Sequence, residues 1–156
     1  DISVLRGIEG ARMKEAYRIQ ADRHRLPWAG RRYDRSRPDG ADVPNQAINH
    51  AATFVECAAD VAVAVVGALP PLGFVHEDSS NAFTLDLADL YRVEVTIPLA
   101  FRVARRVLEN SSLNLERTLR REAAAEFRRG KLIPKMIDRI KELLSVHDTR
   151  GDAQRQ

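Results

Sequence analysis

Only one cysteine, Cys57, stands in the 156 residues of this chain. One thiol closes no internal disulfide, and within an alanine and valine run it reads as a small hydrophobe, so a reducing cytoplasm is the expected compartment. A glycine-rich phosphate cradle is absent, as are paired cysteines at zinc spacing and a G-x-S-x-G elbow, which sets aside the commonest nucleotide, zinc and serine-hydrolase chemistries. Signal peptides and uninterrupted apolar runs of bilayer-spanning length are not apparent either, so no membrane association is expected. Strand signal is confined to Arg92 to Thr96, and no internal repeat is present. The expected class is all-α. Lysine is scarce too, with four residues against 21 arginines.

That imbalance is the first positive sign. Net charge is only +3, but arginine's planar fork suits bidentate phosphate contacts and tolerates partial burial, so the set leans towards nucleic acid. A GC-rich genome favouring arginine codons accounts for it equally well. Hydrophobic residues at 44% and charged residues at 30% describe one soluble globular domain.

Ser3 to Arg25 reads as an amphipathic helix, with Val4, Leu5, Ile8, Ala11, Ala16 and Ile19 on one face. Glu9 sits at the edge of that face between Gly7 and Gly10. Each glycine inside a helix costs about 1 kcal/mol relative to alanine, which calls either for a close approach at Glu9 or for a helix break at Gly7. A basic loop follows, in which Trp28 and Tyr33 lie among Arg23, Arg25, Arg31, Arg32, Arg35 and Arg37. The mixture suits gripping phosphates and stacking on bases, although a solvated basic loop has the same composition. Asn45 to Leu69 is apolar nearly all round and reads as a buried central helix. Its one polar stripe runs through Asn45, Asn49, Thr53, Glu56 and Asp60 and must meet water, a partner or the site. Further helices are expected from Pro98 to Glu109, from Leu113 to Arg129 and from Pro134. The first two carry eight arginines against four glutamates between Phe101 and Arg129. Residues 1–146 form the expected helical domain and 147–156 a disordered tail.

The stretch Gly73 to Asp89 places His76 ahead of Asp86 and Asp89. If Phe83 to Leu90 is a helix, the two carboxylates share a face, because residues three apart are neighbours on a helix surface. Such a set can hold a hard divalent cation, Mg²⁺ or, with an imidazole added, Mn²⁺. The alternative is structural, with the aspartates serving as caps and as partners of the helix dipole.

Five blocks in order carry a resemblance: Leu5-Arg-Gly-Ile-Glu-Gly10 with Arg12, Gly30-Arg-Arg-Tyr-Asp34, Asn45-Gln46, Gly73-Phe-Val-His76 and Asp86-Leu-Ala-Asp89. Together, from about Leu5 to Arg129, they resemble the CRISPR-associated integrase of the adaptation module, in its subtype I-E branch. The resemblance implies an all-helical, carboxy-terminal catalytic domain of about six helices around a buried central helix, with an amino-terminal β-domain missing. It implies that Glu9, His76 and Asp89 bind Mg²⁺ or Mn²⁺ and that Asp86 is a further catalytic carboxylate. Arg31, Arg32, Tyr33, Arg117 and Arg120 are the implied DNA contacts. The implied reaction is metal-assisted attack of a 3′-hydroxyl on a repeat phosphodiester, which inserts a foreign fragment with 3′ overhangs into the CRISPR array. Related hydrolysis and branched-DNA cleavage accompany it. A homodimer and a small ferredoxin-like partner protein are implied as well. Two departures stand out: Glu56 replaces a tyrosine found in some relatives, and the loop Glu77 to Ala82 lacks their lysine. A non-enzymatic helical DNA-binding subunit is the alternative function.

Overall fold

A computed structural model describes residues 2–32, 41–76 and 79–145, apart from the side chains of residues 2–6 and 9. Within them are six α-helices: α1 (Ile2–Arg23), α2 (Val43–Val66), α3 (Ala82–Asp89), α4 (Ile97–Glu109), α5 (Leu115–Gly130) and α6 (Leu132–Ser145). No strand occurs among the described residues, so the fold is all-α as expected. Packing groups the chain into two compact units, Asp1–Val55 with Tyr91–Ala125 and Glu56–Leu90 with Glu126–Gln156. The expected tail, 147–156, lies outside the described residues.

Local chemistry explains where the helices start and stop. Asp42 caps α2 by accepting the backbone N–H of Asn45 at 2.9 Å, and Pro44 follows in the first turn, where a missing N–H costs nothing. At the other end Gly67 takes φ +76°, and the N–H groups of Gly67 and Ala68 return to the carbonyls of Ala64 and Val63, both at 3.1 Å. This left-handed closure leaves the last carbonyls satisfied. Asn114 caps α5 in the same manner as Asp42, accepting the N–H of Arg117 at 2.9 Å.

The first unit packs α1 on α4 around Tyr17, Ala21, Phe101, Leu99 and Val103, all buried. Trp28, expected as a base-stacking residue in a basic loop, belongs to this core. Its ring lies 5.4 Å from Tyr17 and 5.2 Å edge-on to Phe101, and aromatic pairs at such spacing add to simple burial. The second unit gathers Ala58, Ala59, Ala62 and Val63 of α2, Phe83, Leu87 and Ala88 of α3, and Leu132, Met136 and Ile140 of α6 into its own core.

Three other expectations change. The buried face of α1 carries Tyr17 and Ala21, whereas Ile8 and Ile19 are 53% and 51% exposed. Two isoleucines outside the core are tolerable because α1 buries a large aromatic in their place. Arg92–Thr96 is a π-helical turn leading into α4, not a strand: Val95 and Thr96 both donate N–H to the Tyr91 carbonyl, at 2.9 and 3.2 Å. Its β-branched residues raise strand propensity, but tertiary context overrides propensity in short segments. Finally, α2 is long and apolar enough to cross a membrane by length and composition, with mean hydropathy 1.3. It nevertheless buries Ala47, Ile48, Ala51 and Val55 in the first unit and four residues in the second, with Val61 and Val65 exposed on another side.

Candidate metal and nucleic-acid site

Pro70 and Pro71 follow α2 and cannot continue it, so the chain turns and is pinned where Phe83, opening α3, donates its N–H to the Pro70 carbonyl at 2.8 Å. The turn is tight at Gly73. A Cβ added there would stand 2.4 Å from the His76 carbonyl oxygen and 2.6 Å from Ala82 Cβ, so only glycine fits.

The centre of this loop is a carboxylate. Asp86 on α3 accepts the backbone N–H groups of Phe74, of Val75 at 2.9 Å and of His76 at 3.1 Å. The His76 ring meets it as well, Nδ1 to Oδ1 at 2.5 Å. Burial, with the side chain 9% exposed, would by itself raise the Asp86 carboxyl. The N–H of Val75, the His76 ring and the N–H groups of Phe74 and His76 outweigh it and hold the group below its ordinary value. An ionised Asp86 accepts from a protonated Nδ1, which leaves the lone pair of Nε2 for a metal or a proton. A carboxylate behind a histidine is the usual outer partner of a metal-binding imidazole. The resemblance implies a further catalytic carboxylate at Asp86, and both its oxygens are occupied by the loop that carries His76.

One helical turn on, Asp89 is half-buried near the end of α3. The helix is tied to α2 by the Thr84 hydroxyl, which donates to Asp60 at 2.7 Å. Asp60, read from the sequence only as part of a polar stripe, thereby steadies the helix bearing both aspartates. Glu9 lies on α1 in the first unit; its side chain is outside the described residues, as are Glu77 and Asp78. Helix α1 runs unbroken through Gly7 and Gly10, so no break occurs there. A Cβ at either glycine would meet no described atom within 4 Å. Among the described residues no three histidine, cysteine, aspartate or glutamate side chains form a metal-binding group.

Asn45 and Asn49, the first two residues of the polar stripe on α2, hold Gly30, Arg31 and Arg32 of the basic loop. Asn45, 0% exposed, accepts the Arg32 N–H at 2.8 Å and an Arg31 guanidinium N–H at 3.1 Å, and donates to the Gly30 carbonyl at 3.2 Å and to Asp42 at 2.9 Å. Arg31 donates also to Asn49 at 2.6 Å and to the Arg32 carbonyl at 2.8 Å. Arg31 is therefore a strut of its own loop, while the Arg32 side chain is exposed beside it. Tyr33 lies outside the described residues. Arg117 and Arg120 come together elsewhere in the first unit, lining a cavity of about 650 Å³ with Ser112, Asn114, Thr118 and Arg121. Arg120 is paired with Glu116 one turn earlier. Arg121, one of the arginines counted on this helix from the sequence but not among the implied DNA contacts, shares the cavity.

Known proteins supply the wider frame. The family model for the CRISPR associated protein Cas1 matches residues 1–128. The CRISPR-associated endonuclease Cas1 1 of Rhodospirillum rubrum is 35% identical over 145 residues, covering 92% of this chain and 46% of that protein. Its counterpart in Escherichia coli is 31% identical over 152 residues, covering 97% of this chain and 48% of the relative. A crystal structure of a TtCas1-DNA complex superposes with a TM-score of 0.82 at 33% identity, covering 88% of this chain and 51% of that one. The chain thus spans about half the length of the relatives it matches. With the family model covering most of the chain, and with the helices superposing on a solved relative, the chain belongs to the Cas1 family of CRISPR-associated proteins.

Proposed function

We propose that this chain is the catalytic part of a metal-dependent DNA nuclease and integrase of CRISPR adaptation, acting in the cytoplasm. The observation that carries the reading is the grip of Asp86 on the His76 loop, which fixes the imidazole by one nitrogen and leaves the other for a ligand. His76, Asp89 and Glu9 would hold the ion, and an imidazole with two carboxylates is a donor set that fits Mg²⁺ or Mn²⁺. The bound cation would neutralise charge developing on the phosphodiester and orient the attacking 3′-hydroxyl or water. Asp86 acts through His76, keeping its ring in one tautomer and one direction. Arg117, Arg120 and Arg121 position DNA phosphates at their cavity, and Arg32 does so from a loop that Arg31 and Asn45 stiffen. Tyr33 belongs to the same contact set.

Substrates and partners follow the family: duplex DNA with 3′ overhangs, CRISPR repeat DNA, a second copy of the protein and a small ferredoxin-like partner. The relatives are named endonucleases, and one was solved with DNA. In the full-length protein, Glu9→Ala or His76→Ala abolishes integration and branched-DNA cleavage in Mg²⁺ or Mn²⁺. Unchanged activity in either variant rejects the assignment. Metal-independent DNA binding without cleavage by the wild type would favour a purely structural DNA-binding subunit.

A further inference from the structure

Phe74 and Val75 immediately precede His76, yet they are 61% and 66% exposed. Exposure of this kind usually accompanies freedom of movement, but Phe74 is held at both ends. Its backbone N–H is bound by Asp86, and its ring stands edge-on to Phe83, with centroids 5.7 Å apart and planes at 73°. Phe83 is itself buried, at 3% exposed. Because three successive N–H groups converge on one carboxylate, the backbone curls around Asp86 and turns the Phe74 and Val75 side chains outward. The result is a fixed aromatic with most of its surface exposed in this chain, the kind of apolar patch that marks a contact surface.

We infer that Phe74, flanked by Val75, is a stacking platform for a nucleobase next to the phosphate that reacts at His76. The inference rests on the DNA reading above. Consecutive Cα atoms are 3.8 Å apart, so Phe74 lies within about 7.6 Å of His76 along the chain, within reach of the sugar and base attached to a phosphate at His76. The chemistry of the loop favours the base. Neither lysine nor arginine occurs between Arg37 and Arg92, so apart from the ion this part of the chain offers DNA no cationic side chain. What it exposes immediately before His76 is apolar. A base presents a flat π-face whatever its identity, so stacking grips the strand without reading its sequence. Phe74 already has its direction fixed, so little side-chain entropy is lost on contact.

The test uses the full-length protein and branched DNA carrying 5-iodouracil at successive positions through its single-stranded arm, in metal-free buffer. Irradiation is expected to crosslink one or two adjacent positions to the peptide containing Phe74. Phe74→Leu, which retains apolar packing on Phe83, should lose the crosslink and bind the DNA roughly 5- to 150-fold more weakly. Phe74→Trp should restore affinity. His76→Ala, which leaves the three backbone donors to Asp86 in place, should keep the crosslink while losing cleavage. Unchanged cleavage in His76→Ala would instead count against the catalytic reading alone. No crosslink to this peptide from any position overturns the platform, even if Phe74→Leu fails to fold. So does unchanged DNA affinity in Phe74→Leu, and so does an effect of Phe74→Leu on self-association only, which would make the patch a protein contact.

Discussion

Asp86 decides the local structure of the candidate site, because four donors converge on one side chain. Asp86→Asn keeps the size but removes the charge, and an amide nitrogen in the Oδ1 place can donate to His76 Nδ1 only by giving up the His76 backbone N–H. The proton then moves to Nε2, the nitrogen proposed to bind the ion. Metal affinity of the full-length protein should fall by about 10- to 100-fold in calorimetric titration, and stability by about 1–3 kcal/mol in urea unfolding. The pH dependence follows from the lowered carboxyl. The unfolded group titrates near about 3.9, and the folded group at lower pH, so its contribution to stability is complete above that value and disappears as pH falls through the folded pKa. Wild type and Asp86→Asn should therefore converge in stability in acid and separate again towards neutrality. Gly73→Ala is a second test at this scale. Its new methyl would sit 2.4 Å from a backbone oxygen, which cannot swing away as a side-chain tip can. The loop must shift, at a cost of about 1–3 kcal/mol. Thermal melting would detect the loss, and DNA cleavage should fall with it because His76 moves.

The first turn of α2 works as a clamp for the arginine loop, with fully buried Asn45 at its centre. Asn45→Ala strands the Arg32 N–H and frees Arg31 from one of its holds, so a loss of about 1–3 kcal/mol is expected. Arg31→Lys separates two roles. If Arg31 served only as a phosphate contact, lysine would largely replace it; as a strut it needs the planar fork that reaches Asn45 and Asn49 together. Arg31→Lys should thus lower the melting temperature as well as DNA affinity, and differential scanning calorimetry would show it. At this scale the sequence was partly legible. Helical periodicity located five of the helices and the polar stripe, because period and caps are local properties, while the short α3 entered only as a supposition. Periodicity could not say what met the stripe, since the partner Arg31 comes from a loop without periodicity. Trp28 illustrates the same limit, as an aromatic among arginines suits a base and a core equally, and the rings of Tyr17 and Phe101 decide for the core. His76 and Asp86 were legible as a pair, whereas the backbone donors that give Asp86 its task leave no trace in side-chain identity.

Charge is segregated along the molecule. Between Arg37 and Arg92 stand eight acids and no lysine or arginine, a stretch suited to a cation. Arginines dominate α4 and α5, where they suit phosphate. On the proposed reading, separation of this kind would let one chain bring a metal and a polyanion together without either screening the other's site along the sequence. It predicts a salt dependence assignable residue by residue. Each phosphate neutralised by an arginine contributes about 0.9 to the slope of log affinity against log salt concentration on duplex DNA. Arg121 shares its cavity with Arg117 and Arg120, so Arg121→Gln should lower that slope by about one such contribution. Arg18 provides the control. It is exposed and already engaged by Glu15 at 2.6 Å and Asp22 at 3.4 Å, so Arg18→Gln changes total charge equally but should leave the slope unaltered. Fluorescence anisotropy across a salt series, with the full-length protein, measures both. Equal slopes for the two variants would mean that net charge, and not the cavity, sets the electrostatic part of DNA binding.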